Sequence, residues 1–305
     1  MPCFSPLEAF RSKTVNASGK RGIVFNRAAG FVDMPVTLPC GQCVGCRLER
    51  SRQWAIRCYH EAQMHDSNCF ITLTYAPEHL PEDRSLDVSH FQKFMKRLRK
   101  RYGSGIRFFH CGEYGEKLMR PHYHACIFGM DFDDKVLWKY SNGLPLYVSD
   151  SLAELWPFGF SSIGEVTFES AAYVARYIVK KVTGDLAESH YSFVDPDSGE
   201  VVSLKPEYTT MSRRPGIGSS WLEKYQGDVF PHDEVVIRGR KMKPPKYYSR
   251  QYEFNDPGNW VEVRRKRLHK ARAHSDNNTP ARLKVREKVQ KAKLELLPRN
   301  LDKGE

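Results

Sequence analysis

The sequence has no apolar run approaching the ~20 residues needed to span a bilayer. It opens MPCFSPLEAFRSK, which contains no apolar core of the signal-peptide kind. It has no G-x-x-x-x-G-K-[ST] loop, so no helicase domain is expected in it. No internal repeat stands out. Acid is in short supply: 36 Asp and Glu stand against 48 Lys and Arg, a net charge of +12. These absences predict a soluble protein made in a cytoplasm, with no membrane partner. The charge excess predicts a polyanionic partner, nucleic acid first.

The 305 residues are 40% hydrophobic, enough for a packed core in one large domain or two smaller ones. Eight cysteines in a cytosolic chain do not imply disulfides. Cys58, Cys69, Cys111 and Cys126 fall singly in periodic segments, as small buried hydrophobes do. The other four differ. Cys40-x-x-Cys43-x-x-Cys46 has metal-ligand spacing, and Cys3 is the best fourth ligand because no histidine lies near. A structural Zn²⁺ is the first reading; an iron–sulfur cluster and plain reduced thiols are the alternatives.

Periodicity predicts a helix over 47–65, a buried strand over 69–75 and an amphipathic helix over 86–102 capped by Asp87 or Ser89. Strands follow at 106–115 and 122–129. After a longer loop come a short helix at 149–155, a strand at 159–166 and a helix at 167–184. Residues 1–39 read as an irregular arm with room for one hairpin. Beyond 185 the pattern weakens, with a hairpin around Asp195–Gly199 and a last helix starting at Thr279–Pro280. The order predicts an α+β fold, an antiparallel sheet with helices on one face in the ferredoxin-like manner.

His122 and His124 stand one residue apart on a strand, so their imidazoles share a face and suit one metal ion. Glu113 ends the preceding strand. In an antiparallel pair it lies beside His122, with Glu116 a weaker rival. Two imidazoles and a carboxylate leave coordination sites open, which suits Mg²⁺ or Mn²⁺ acting on a phosphate. In the helix 167–184, at about 100° per residue, Tyr173, Tyr177 and Lys180 fall within about 60° of one another, with Arg176 and Lys181 to either side. The aliphatics fill the opposite arc. Two phenols among cations make a surface for phosphate. A phenol has a pKa near 10, so it needs activation to attack.

FITLTY, PHYHACIFG and YVARYIVKK, in that order, resemble the three motifs of the HUH endonucleases. More closely, the chain resembles the replication initiators of gokushovirus-type microviruses, small single-stranded DNA bacteriophages. PCGQCVGCR, WAIRCYHE, GEYGEKLMRPHYH and TTMSRRPGIG extend that likeness over nearly the whole chain. The resemblance implies an HUH (ferredoxin/RRM-like) fold and a site-specific single-stranded DNA endonuclease of rolling-circle replication. It implies Tyr177 as first nucleophile, Tyr173 as second, and Lys180 as the helper of the family's Tyr-x-x-Lys. Cleavage would leave a 5′-phosphotyrosine and a 3′-OH primer, and the reverse step would release a circle. The bond energy stays in the phosphotyrosine, so no nucleotide cofactor is needed. The implied partners are single-stranded or supercoiled replicative-form origin DNA and the host polymerase and helicase, in the bacterial cytoplasm.

Three domains follow: 1–66, an arm with the cysteine cluster and a basic helix; 67–184, the endonuclease core; and 185–305, a basic DNA-binding extension. Arg176, Lys181, Arg213 and Arg214 are candidate DNA contacts. Tyr247, Tyr248 and Tyr252, among cations, are candidate base-stacking residues. A non-catalytic zinc-stabilised DNA-binding regulator, or an HUH transposase or relaxase, remain alternatives.

Overall fold

In the computed structural model the described residues are 3–17, 19–115, 119–141, 143–180, 187–194 and 199–296; for 176–180 and 193 the backbone alone is described. Lys181 therefore lies outside the described residues, as does Glu116. The chain divides into two compact units. One is formed by Met1–Glu49 with Lys266–Pro298, the other mainly by Arg50–Arg265.

The first unit holds β1 (Leu7–Val15), β2 (Arg21–Val24) and β3 (Gly30–Leu38), an antiparallel sheet in the order β2-β1-β3. The expectation of an irregular arm is thus corrected. Alternation was hard to read there because most side chains of these strands are exposed.

The second unit is built on α1 (Val44–Ala62, its start belonging to the first unit), β4 (Asn68–Thr74), α2 (Val88–Tyr102), β5 (Arg107–Tyr114) and β6 (Pro121–Phe128). Then come β7 (Val136–Ser141), β8 (Leu144–Val148), α3 (Asp150–Leu155), β9 (Ser161–Gly164) and α4 (Phe168–Lys180). Next are α5 (Ala187–His190), β10 (Ser192–Val194), β11 (Val201–Ser203), β12 (Tyr208–Met211) and α6 (Ser219–Val229). The series closes with β13 (Val235–Ile237), β14 (Arg240–Met242), α7 (Lys246–Asn255) and α8 (Pro257–Arg272), whose last residues from Lys266 on belong to the first unit; α9 (Pro280–Glu295) belongs to the first unit. As expected, β10 and β11 pair antiparallel, the turn residues 195–198 lying outside the described residues, and Thr279 caps α9 by accepting from the Arg282 N–H.

Seven strands form one antiparallel sheet in the order β12-β5-β6-β4-β9-β8-β7. Every residue of β6 is buried, so this central strand is covered on both faces. One face carries Ile71, Leu73, Tyr123, Ala125 and Ile127 under Phe91, Phe94, Met95 and Leu98 of α2 and Leu152 and Leu155 of α3. The other carries Phe70, Cys126, Phe128, Phe109 and Cys111 under Cys58 of α1 and Ala171, Tyr173, Val174 and Ala175 of α4. The sheet is therefore a middle layer, not a sheet covered on one side as the sequence predicted. Near-continuous apolar runs such as CFITL mark strands buried on both faces. The four single cysteines, 58, 69, 111 and 126, are all fully buried, as expected.

Two further corrections concern a segment read as loop and one whose pattern was weak. The stretch between β6 and α3 holds the β7–β8 hairpin, which extends the sheet to its edge. The segment after 185 supplies β12 at the opposite edge and a third core around Ile56, Leu222, Phe230, Tyr248, Tyr252 and Val263.

Candidate active site

The sheet brings three potential ligands together by register alone. Glu113 stands directly opposite His122 in the β5–β6 pair, and Cys111 opposite His124. On the other side of β6, Thr74 faces His122 and Thr72 faces His124. Directly opposite residues share a face, so Glu113, both imidazoles and both threonines point to the α4 side. His122 Nε2 lies 2.9 Å and His124 Nε2 2.8 Å from the same oxygen, Glu113 Oε1. The two rings stand at 89° with centroids 5.0 Å apart. All three residues are buried.

The outer nitrogens are anchored. His122 Nδ1 is 3.1 Å from the Arg120 carbonyl oxygen, which can only accept, so Nδ1 carries a proton and Nε2 of the neutral ring is a lone pair. His124 Nδ1 pairs with Thr72 Oγ1 at 2.9 Å. Without a cation the ring must instead be doubly protonated and donate from Nε2 to Glu113; a bound cation takes the place of that proton. Burial pushes the Glu113 carboxyl up, but hydrogen bonds and charge from both histidines outweigh it and hold it below the usual carboxylate range. Glu113 Oε2 is buried without a hydrogen-bond partner among the described residues. The mutual ligand distances, all within 4.8 Å, fit one divalent cation. Orientation of each ring through its other nitrogen is the usual support for metal ligation. Thr72 and the Arg120 carbonyl were not anticipated. The signal for Thr72 was the alternation in FITLTY, which puts both threonines on the histidine face.

α4 crosses this face. Tyr173 is buried, with its ring edge-on to His124 at 5.1 Å and its hydroxyl 3.5 Å from Glu113 Oε1. The expectation that Tyr173 stands clear of the apolar face is corrected. Ser170, Ala171, Tyr173, Val174 and Ala175 are all buried, and Tyr173 forms one margin of that arc. The sheet face under α4 is part apolar and part ligand cluster, so one helix face serves both. Arg176, Tyr177 and Lys180 continue the helix backbone; their side chains lie outside the described residues, so Tyr177 is located only as one turn beyond Tyr173.

In the first unit, Cys3, Cys40, Cys43 and Cys46 converge. The Sγ–Sγ separations are 3.7 Å for Cys3–Cys40, 3.9 Å for Cys43–Cys3 and 4.0 Å for Cys40–Cys46. The edge of a ZnS₄ tetrahedron with Zn–S near 2.3 Å is about 3.8 Å. Backbone N–H groups of Phe4, Cys40 and Cys43 donate to Cys43, Cys3 and Cys40 sulfurs, each at 3.3 Å. Burial raises the Cys43 thiol, but the Phe4 and Cys46 N–H groups outweigh it and bring it down to about 7, while burial holds the Cys3 and Cys46 thiols up, so a metal would have to displace their protons. The thiol set fits zinc.

The candidate DNA contacts divide. Arg213 and Arg214 are exposed. Tyr248 and Tyr252 are buried in the third core, so they do not offer their rings to bases, and Tyr247 is half-buried against the Arg57 guanidinium at 4.1 Å. Those aromatics were misread because i, i+1 and i+5 spacing near cations also suits a helix packed on a core.

Residues 68–182 match the family described as Replication-associated protein ORF2/G2P. Over 272 residues the chain is 35% identical to Replication-associated protein VP4 of Bdellovibrio phage phiMH2K, covering 86% of this chain and 80% of that protein. It is 35% identical to Replication-associated protein ORF2 of Spiroplasma virus 4, covering 71% of this chain and 68% of that protein. With Replication-associated protein ORF4 of Chlamydia phage 1 it shares 33% identity over 70% of this chain and 52% of that protein. No solved structure matches. The matched span 68–182 contains β4, the triad and α4.

Proposed function

This chain belongs to the family of phage replication-associated proteins that includes those of phiMH2K and Spiroplasma virus 4, and from that premise we propose that it is a rolling-circle replication initiator that cuts and rejoins one DNA strand at the viral origin. The observation that carries the chemistry is the Glu113–His122–His124 cluster with the Tyr173 hydroxyl against it.

In this reading Glu113, His122 and His124 hold Mg²⁺ or Mn²⁺, which when bound polarises a phosphate oxygen. Tyr177, one turn beyond Tyr173, attacks the phosphorus. A P–O bond to tyrosine forms, and the bond to the 3′ oxygen breaks and leaves a 3′-OH. A host polymerase extends that end while a host helicase opens the duplex. Tyr173 then cuts the regenerated origin, and the new 3′-OH displaces the first tyrosine to close the circle. Number and kind of bonds are conserved, so no nucleotide cofactor enters. Lys180 offsets charge on the phosphate in the transition state. Lys181, Arg176, Arg213 and Arg214 hold backbone phosphates. The sulfur cluster holds a structural Zn²⁺ and takes no part in strand transfer.

The test is incubation with single-stranded oligonucleotides from the encoding genome and Mn²⁺. A protein–DNA adduct stable in denaturant and abolished by EDTA is the expected result. Sequence-selective binding without an adduct would favour a non-catalytic regulator.

A further inference from the structure

The aromatic residues expected to stack on bases are buried, yet the second unit exposes a different set beside the triad. Phe160 and Trp138 are each 46% exposed. Their centroids are 4.8 Å apart, and Lys139 Nζ stands 4.0 Å from the Trp138 ring.

The register joins this pair to the metal ligands. Leu73 faces Ser161 in the β4–β9 pair, and the Thr74 N–H donates to the Phe160 carbonyl at 2.9 Å, so the ladder continues with Phe160 opposite Thr74. Thr74 faces His122, and His122 faces Glu113. Glu113, His122, Thr74 and Phe160 therefore form one row across four strands. At ~4.8 Å per strand, Phe160 sits about 10 Å from His122. The position is fixed by Gly159, whose φ of +154° and lack of a Cβ let the chain press against the end of β4.

We propose that Trp138 and Phe160, with Lys139, form a stacking platform for a base of the single strand next to the scissile phosphate. This deepens the initiator reading and rests on it. Three observations select single-stranded DNA as the occupant. The platform is continuous with the proposed phosphate site along a single row. It pairs exposed rings with a cation, the combination that binds a base and its phosphate together. The chain carries a +12 charge, which suits a polyanion over a second copy of itself. A base in a duplex cannot reach such a platform, so the strand must be melted or already single. β7 is also the edge of the sheet, so pairing with another copy is the competing outcome.

The test uses the full chain with two probes: an oligothymidylate, and oligonucleotides tiling the encoding single-stranded genome in the presence of Mn²⁺. Trp138→Ala and Phe160→Ala should each weaken oligothymidylate binding about tenfold, and Trp138→Phe should keep most of the affinity. Circular dichroism confirms that each variant is folded. In the tiling oligonucleotide that gives an adduct, an abasic nucleotide at one position beside the cut should reproduce the loss, and should add nothing further in Trp138→Ala. If adducts form but folded Trp138→Ala and Phe160→Ala bind as tightly as the parent, the platform is overturned and the nuclease reading stands. If affinity falls as expected but the parent forms no adduct, the platform stands and the nuclease reading fails. If the substitutions leave DNA affinity unchanged and turn a dimer into a monomer, the surface joins two copies and the platform is overturned.

Discussion

His122 and Glu113 face each other across one antiparallel pair, with Nε2 and Oε1 2.9 Å apart and both side chains buried. Neither would be stable there as an isolated charge, and His124 converges on the same oxygen. The first prediction concerns that cluster. Mn²⁺ at a hundred times its Kd should raise the unfolding free energy of the parent by about 2.7 kcal/mol. Glu113→Gln and His122→Ala should show no such gain. Urea melts with and without Mn²⁺ measure it, and an equal gain in the variants would place the ion elsewhere.

A second prediction isolates the sulfur cluster. Atomic emission on dialysed protein should find one zinc per chain. Cys40→Ser and Cys43→Ser should lose it, and Glu113→Gln should keep it. Because structural zinc contributes directly to folding, the cysteine variants should also melt at lower temperature. Iron in place of zinc would contradict the assignment.

A third prediction follows from His60. Burial lowers its imidazole from 6.5 to about 3, and its Nδ1 pairs with the Tyr248 hydroxyl at 3.0 Å. The unfolded state therefore takes up a proton that the folded state refuses. Its contribution is complete above pH 6.5 and is lost as pH falls from there toward 3. At pH 5 the loss is about 2 kcal/mol. His60→Gln should have a flatter urea midpoint between pH 7.5 and 5 than the parent; equal slopes would contradict the assignment.

A fourth prediction concerns the turn before Phe160. A Cβ on Gly159 would lie 2.3 Å from the Ala76 nitrogen, and its φ is +154°. Gly159→Ala should destabilise the protein by at least ~1–3 kcal/mol, visible as a lower urea midpoint. It should also reduce adduct formation more than a remote substitution of equal cost, since it displaces Phe160.

Much of the central fold was legible because the core strands and α2 carry strong patterns. Phe91, Phe94, Met95 and Leu98 repeat at helical spacing and are all buried. Histidines two apart announced their shared face, and chain order placed Glu113 beside them. What escaped the sequence lay at the edges. β7 leaves Val136, Leu137, Trp138 and Tyr140 exposed, so neither alternation nor a buried run marked it as a strand. β12 is only four residues long and half-buried, and finds its place through pairing with β5, some hundred residues earlier. The second helix layer was missed for a related reason. α4 shows one aliphatic arc, and nothing local says which sheet face receives it. Tyr173 looked separate from that arc because its buried partner is a ligand cluster, not a hydrocarbon.

The central claim is that a tyrosine of α4 becomes joined to DNA at the triad. The most direct measurement is mass spectrometry of the adduct formed with Mn²⁺, after digestion by nuclease and protease. The account predicts a nucleotide-bearing peptide modified at Tyr177, with modification at Tyr173 in Tyr177→Phe and none in the double variant. An adduct carried by any other residue, or one that persists in the double variant, would contradict it.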